Sequence, residues 1–344
     1  MKRIYTSILM LMVMPDVYGG TASFTGVVVD ADSNNPVANA EVCAYFENRS
    51  MKFFESGTTD RYKGFTDANG RVHYSATTTK GEVGWRVLNA EGYYAGMGEA
   101  PKYNHDSLLA VVRWCPWNQV VTARLDRVVS PIPLYVKRVE GEWYNQMKWR
   151  RTDPYNSPCT NTVIAAYDLF KGDWLPPYGN GEHEDIRFTA RTKLLGVEKM
   201  SRRHQAMRYR TDYCIEFPGD GNGICEVIPR NRATLKLRVA PTNEYVGVVT
   251  RWEGWFGAGE PQKSNFDASR CFAFRVRTRK DKESGNVIES YYGKVYGDWN
   301  FLAPSSHGGG IVYYLNTTPN DRNLEWDRQN NHCPNPGVIG NPRP

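Results

Sequence analysis

At 344 residues with a formal charge of +6, the chain is long enough for two domains, and its charge is too dilute for a nucleic-acid footprint. Aromatic residues make up 13% of it, glycine and proline recur throughout, and no stretch keeps a helical period for long. Those features exclude a coiled coil or helical bundle and point to an all-β protein.

The chain opens Met1-Lys2-Arg3, followed by an apolar run from Ile4 to Met14 that Pro15 and Asp16 end. A basic flank, a short apolar segment and then small residues predict a signal peptide over residues 1–22, cleaved after Gly19 or Ala22. Cleavage would remove Lys2, Arg3 and Asp16 and leave a charge of about +5. The run is shorter than the roughly 20 residues a membrane helix needs, and no second apolar stretch follows. The expectation is an exported protein, periplasmic, cell-surface or secreted, with no membrane span.

Residues 23–126 carry the clearest strand signals. Val27, Val29 and, after a turn, Val42, Ala44 and Phe46 alternate with polar or small residues. Asp67-Ala68-Asn69-Gly70 supplies a tight turn, and Val83 to Leu88, Leu108 to Trp114 and Val120 to Leu125 continue the pattern. The segments Gly26-Val27-Val28-Val29-Asp30, Asn35 to Val42, Thr66 to Val72 and Glu91-Gly92-Tyr93-Tyr94 resemble the carboxypeptidase regulatory-like family, a prealbumin-type module of secreted and envelope proteins. The resemblance covers about the first third of the chain. It implies a prealbumin/Ig-like β-sandwich and an address, without an activity. A longer stretch from Asn48 to Lys63 departs from the family and reads as a projecting loop.

Arg127 to Pro133 holds two prolines, so residues 127–155 read as a connector. Residues 156–329 then offer eight strand candidates: Asn161–Asp168, Asp185–Ala190, Tyr209–Phe217, Ala233–Val239, Tyr245–Arg251, Phe272–Thr278, Ile288–Tyr296 and Gly310–Leu315. Turn chemistry between them predicts a second β-sandwich or jelly-roll-like domain. A short helix fits within Arg191 to Met207, and the Asn/Pro/Gly-rich tail 330–344 reads as disordered.

Seven cysteines fall after the leader: Cys43, Cys115, Cys159, Cys214, Cys225, Cys271 and Cys333. Cys214 and Cys225 flank Pro218-Gly219-Asp220-Gly221-Asn222-Gly223, and a hairpin there would set them opposite one another as a disulfide. Cys43 and Cys115, the only cysteines of the first module, either pair or are two separately buried thiols.

No motif assigns a catalytic group, metal or cofactor. Asp30-Ala31-Asp32-Ser33-Asn34 with Glu41 copies a calcium-loop spacing, but Asn35 stands where the sharp turn needs glycine, so a plain turn is expected. None of the six histidines has a Glu three residues later, so the zinc site of a metallocarboxypeptidase is missing. His307-Gly308-Gly309-Gly310 lacks the Gly-x-Ser-x-Gly elbow that would make it an oxyanion loop. Basic runs such as Arg275 to Lys280 alternate with apolar residues and read as solvated strand faces, so no nucleic acid is expected as partner.

Two aromatic loops stand out. Trp174 and Tyr178 sit in a Pro/Gly-stiffened segment, and Trp252 and Trp255 sit among glycines beside Arg251 and Glu253. Flat rings next to charged groups suit sugars, and these four residues are the expected ligand contacts unless they serve as core. The functional expectation is a non-catalytic binding or accessory protein of a bacterial envelope, with a glycan or an envelope protein as partner. The alternatives are a structural interaction module, or a hydrolase using carboxylates such as Asp173, Glu182, Asp185 or Glu253.

Overall fold

The computed structural model describes residues 19–48, 57–104, 113–140, 160–199, 205–227, 237–257, 259–299, 310–337 and 339. The leader through residue 18, Cys159, residues 141–155 of the expected connector and the His307 turn therefore lie outside the described residues. Every regular element described is a strand, and the chain divides into two compact units, Met1–Val128 and Val129–Pro344.

The first unit contains β1 (Gly20–Asp30), β2 (Glu41–Asn48), β3 (Thr58–Phe65), β4 (Arg71–Thr78), β5 (Val83–Asn89), β6 (Gly96–Met97) and β7 (Gln119–Leu125). They form a three-stranded sheet, β4-β1-β7, and a four-stranded sheet, β3-β2-β5-β6. Phe24 of β1 joins the two, its ring lying 6.3 Å from Phe46, 5.6 Å from Tyr74 and 6.0 Å from Trp85. This is a β-sandwich closed over one core. The inward face of β1 carries Phe24 and Val28, while Val27 and Val29 are half-buried on the other side. Three consecutive valines had hidden the phase of the strand. The turn before β4 follows its sequence: Gly70 takes φ +68°, and a Cβ there would stand 2.4 Å from the Val28 carbonyl.

The second half of the expected Asn48–Lys63 loop is β3. It is an edge strand, exposed at nearly every position, so it shows no hydrophobic alternation to read. The Asp30 loop is the plain turn expected. The Asp30 carboxylate accepts from Asp32 N (3.0 Å) and Ser33 N (2.7 Å), closing the turn on itself.

The second unit contains β8 (Ile132–Glu140), β9 (Thr160–Asp168), β10 (Asp173–Trp174), β11 (Ile186–Lys199), β12 (Gln205–Glu216), β13 (Gly223–Glu226), β14 (Val248–Trp255), β15 (Lys263–Ser264), β16 (Cys271–Lys280), β17 (Val287–Tyr296), β18 (Gly310–Asn316) and β19 (Trp326–Asn331). Two six-stranded sheets result, β10-β9-β11-β12-β14-β15 and β13-β16-β17-β18-β8-β19. Ile186, Phe188 and Ile215 of one meet Phe272, Phe274, Tyr313 and Leu315 of the other in a shared core.

Three expectations are corrected here. Residues 132–140 are no connector, because β8 runs antiparallel to β18 inside a sheet. The described residues of Arg191 to Met207 are not helical. They belong to β11 and β12, with Gly196 at φ +144° absorbing a bulge between Leu194 and Gly196. The tail is ordered through residue 337: β19 pairs with β8, Cys333 is buried and Arg138 N donates to Pro336 O at 2.9 Å.

Candidate functional site

The two sheets of the second unit differ on their outward faces. The face of β13-β16-β17-β18-β8-β19 is roofed by chain, with Leu237, Ala240 and Leu324 packed over Ala273 and Tyr292, and Trp326 over Leu134, Val136 and Tyr314. Lys294 is fully buried beneath this roof, its ammonium 5.1 Å from the Tyr296 and Tyr314 ring centres and donating to Leu237 O at 3.2 Å.

Among the described residues, the outward face of β9-β11-β12-β14 carries no such roof. Ile164, Arg191, Lys193, Arg210, Asp212, Val248 and Thr250 are exposed, and Arg187, Thr189, Cys214, Glu216 and Trp252 half-buried. Strand register arranges them in rows, because side chains on one face repeat every second residue. Arg191 stands opposite Asp212, which stands opposite Trp252. One step along, Thr189, Cys214 and Thr250 make a second row, and Lys193 faces Arg210 in a third. The first two rows and Arg210 of the third line an open groove of about 480 Å³.

Within the groove, Arg210 bonds Asp212 through Nε (2.9 Å) and Nη2 (2.8 Å), and its guanidinium carbon lies 5.0 Å over the Trp252 ring. The Asp212 hydrogen bond raises the Arg210 pKa. The Trp252 backbone N–H donates to Asn265 Oδ1 at 2.6 Å, and Phe256 meets the indole edge-on at 6.4 Å. Among the described residues Arg191 and Lys193 make no ion pair. The groove thus offers one indole, hydrogen-bond donors and one exposed carboxylate on a rigid floor.

The four expected ligand residues are not brought together. Trp252 lines the groove. Trp255, three residues on, points to the opposite face of the sheet. Trp174 is core: it is 5% exposed, 5.0 Å edge-on from Tyr167 and 5.6 Å from Phe188. Tyr178 packs against the same cluster. The Pro/Gly-rich segment does form a stiff loop, but its rings turn inward. Arg191 and Asp212 join the Trp252 face only through cross-strand register, which the sequence does not show, whereas Thr250 shares that face by alternation two residues before Trp252.

The disulfide expectation is also corrected. Cys214 lies on β12 with Thr189 and Thr250 as strand partners, while Cys225 lies on β13 in the other sheet, opposite Ala273. The Pro218–Gly223 turn carries the chain between sheets instead of closing a hairpin, so the thiols do not meet. Cys43 and Cys115 are unbridged as well, Cys43 being buried on β2.

The carboxylates of the hydrolase alternative serve other partners. Arg277, at φ 51° beside a bulge in β16, turns inward and holds Asp185 through Nε (2.8 Å) and Nη2 (2.9 Å) and Asp168 through Nη2 (2.8 Å). Its guanidinium carbon also sits 4.0 Å over the Phe170 ring. Burial alone would raise the Asp168 pKa, but amides of Lys171, Glu182 and His183 together with Arg277 bring it below the ordinary value. Burial holds Asp185 above its ordinary value against the opposing pull of Arg277. Glu253 is buried, its pKa raised by that burial, and accepts from Tyr213 Oη at 2.6 Å. Asp173 accepts from Trp174 N and Asn180 N, and Glu182 pairs with Lys171. Among the described residues no cluster of three or more His, Cys, Asp or Glu side chains forms a metal site.

No family model matches the chain, and no curated protein matches it. Among solved structures, a streptococcal ancillary pilin is 11% identical with a TM-score of 0.19, covering 54% of this chain and 58% of its own. A 9R-lipoxygenase from Cyanothece PCC8801 is 12% identical with a TM-score of 0.20, covering 57% and 40%. The chain therefore spans less than two thirds of either protein, and likeness at this level carries no argument about function.

Proposed function

We propose that the protein is a non-catalytic binding protein, exported to a bacterial envelope, that holds a glycan across the outward face of β9-β11-β12-β14 in its second unit. The observation that carries this reading is the Arg191–Asp212–Trp252 row at the floor of an open groove. An indole presents an apolar surface to the C–H face of a pyranose, while the Asp212 carboxylate beside it and the Arg191 guanidinium beyond take up hydroxyls. The mixed signs of Asp212, Glu216 and the arginines fit hydroxyl-rich chains better than a uniformly charged polyanion. The envelope address rests on the basic and apolar leader and on the resemblance of residues 23–126 to a secreted module.

A glycan array probed with the leaderless protein tests the reading. Binding of at least one glycan is expected, with Trp252→Ala weakening it about tenfold or more while the fold is kept. No glycan retained, or equal retention by Trp252→Ala, would overturn it.

A further inference from the structure

A second polar face lies on the first unit and is independent of the groove. On the outward side of β3-β2-β5-β6, Tyr45 stands opposite Arg61 on one flank and Gly84 on the other, and Cys43 stands opposite Lys63 and Arg86. Both arginines lean over one ring: the Arg61 guanidinium carbon is 5.8 Å from the Tyr45 centroid and that of Arg86 is 5.4 Å away. Lys63 has a carboxylate partner, Glu41 at 2.9 Å. Among the described residues Arg61 and Arg86 have none, and both are exposed. Among the described residues the buried Tyr45 hydroxyl has no oxygen or nitrogen partner, only the Cys43 thiol as a neighbour, and a Cβ built on Gly84 would meet only the Tyr45 ring, at 3.9 Å. The sheet therefore gathers two guanidinium groups that lack a carboxylate among the described residues over one phenol ring, Arg61 from one flank and Arg86 from the other, with no side chain at Gly84 to fill the space beside Arg86.

Like charges held on one strand face repel, and a buried hydroxyl without a partner is costly, so the arrangement gains from a ligand that answers both. A carboxylate has two oxygens, which a single guanidinium fork can occupy. Two guanidinium groups and a phenol O–H offer more donors than that, and a tetrahedral oxyanion supplies the extra acceptors. We infer that Arg61, Arg86 and Tyr45 form a binding site for a phosphate or sulfate group. Such a group could be free, carried on a saccharide or part of a lipid headgroup, and the chemistry of recognition is the same.

The test uses the full-length protein titrated with inorganic phosphate and with inorganic sulfate, followed by calorimetry and by amide shifts of β2, β3 and β5. Saturable binding that perturbs these strands is expected. Arg86→Ala and Arg61→Ala should each weaken it at least tenfold, and Arg86→Lys should restore only part, since an ammonium cannot reproduce the planar fork. Tyr45→Phe keeps the ring and removes the donor, and should weaken binding by a smaller factor. Unchanged circular dichroism confirms the fold of each variant. Co-sedimentation with phosphatidylglycerol vesicles separates the sources: retention that excess phosphate competes away places the headgroup in this site. No saturable binding of either ion, or binding that survives both alanine variants, would overturn the inference, whereas vesicle retention indifferent to phosphate excludes only the lipid headgroup as its source.

Discussion

Replacing Arg277 by Met should be among the most damaging single changes to the second unit. Its guanidinium is the shared partner of Asp168 and Asp185, whose side chains are each 3% exposed, and it bonds them at 2.8–2.9 Å. Methionine keeps much of the volume over Phe170 but leaves two buried carboxylates near one another without their counter-charge. Breaking a buried pair in this way costs about 3–5 kcal/mol, and the 28% exposure of the Arg277 side chain favours the lower end. For a unit the size of residues 129–344, a loss of about 3 kcal/mol lowers Tm by about 6–12 °C. The sign of the pH dependence is specific. In the wild type Asp168, with a lowered pKa, contributes stability that is present above the ordinary carboxylate value and lost as pH falls through its folded value. Asp185, with a raised pKa, contributes in the opposite sense. Without Arg277 both carboxyls move upward, so the deficit of the variant should be greatest at neutral pH and shrink as pH falls toward about 4. Calorimetric melts of both proteins across that range supply the measurement. A loss below about 1 kcal/mol, or a deficit that does not change with pH, would refute the reasoning.

The remaining expectations are briefer. Trp174→Ala should cost about 3–5 kcal/mol of stability as a core deletion, whereas Trp252→Ala should cost little, and paired denaturant curves compare them. Asp30 is buried, and although burial alone would raise its pKa, hydrogen bonds from Arg127, Ser33 and Tyr93 drive it far down, so first-unit stability should hold through weakly acidic pH and decline below about 4, a dependence that Asp30→Asn removes in acid melts. Peptide mapping under non-reducing conditions should recover Cys214 and Cys225 without a bridge between them. Strand β1 begins at Gly20 and buries Ala22 completely, so N-terminal sequencing of exported protein should return Gly20 rather than Ser23.

What could be read from the sequence was whatever repeats locally. Alternation in Val42, Ala44 and Phe46 and the Asp67–Gly70 turn announce strands and a tight reversal, and they form the core face of β2 and the turn before β4. What could not be read depends on which strand pairs with which. The glycine-rich run after Cys214 is a genuine turn, but its chemistry does not say that β13 joins the opposite sheet. Trp174 and Trp252 sit in equally glycine-rich surroundings, and only packing decides that one is core and the other a groove wall. Arg277 looked like one more solvated charge in a basic strand, because the bulge that turns it inward leaves no mark in composition.

The unroofed face is where those two kinds of information meet. Lys193 and Arg210 are direct cross-strand partners, an arrangement that sheets disfavour because like charges opposite one another repel. Asp212 relieves Arg210 through two hydrogen bonds, but Lys193 and the neighbouring Arg191 gain no comparable partner among the described residues. A sheet selected for stability alone would pair opposite charges here, as Arg187 does farther along β11, held between Glu184 and its strand partner Glu216. The other sheet of the same unit buries its outward face under chain, which shows that the fold has the means to cover such a surface. Among the described residues this one stays open, with an indole at one end of its row and cations spaced by strand register, a cost that binding would offset. That physical asymmetry between two sheets of one sandwich is what makes the groove, and not the buried Trp174 loop, the place to look for a ligand.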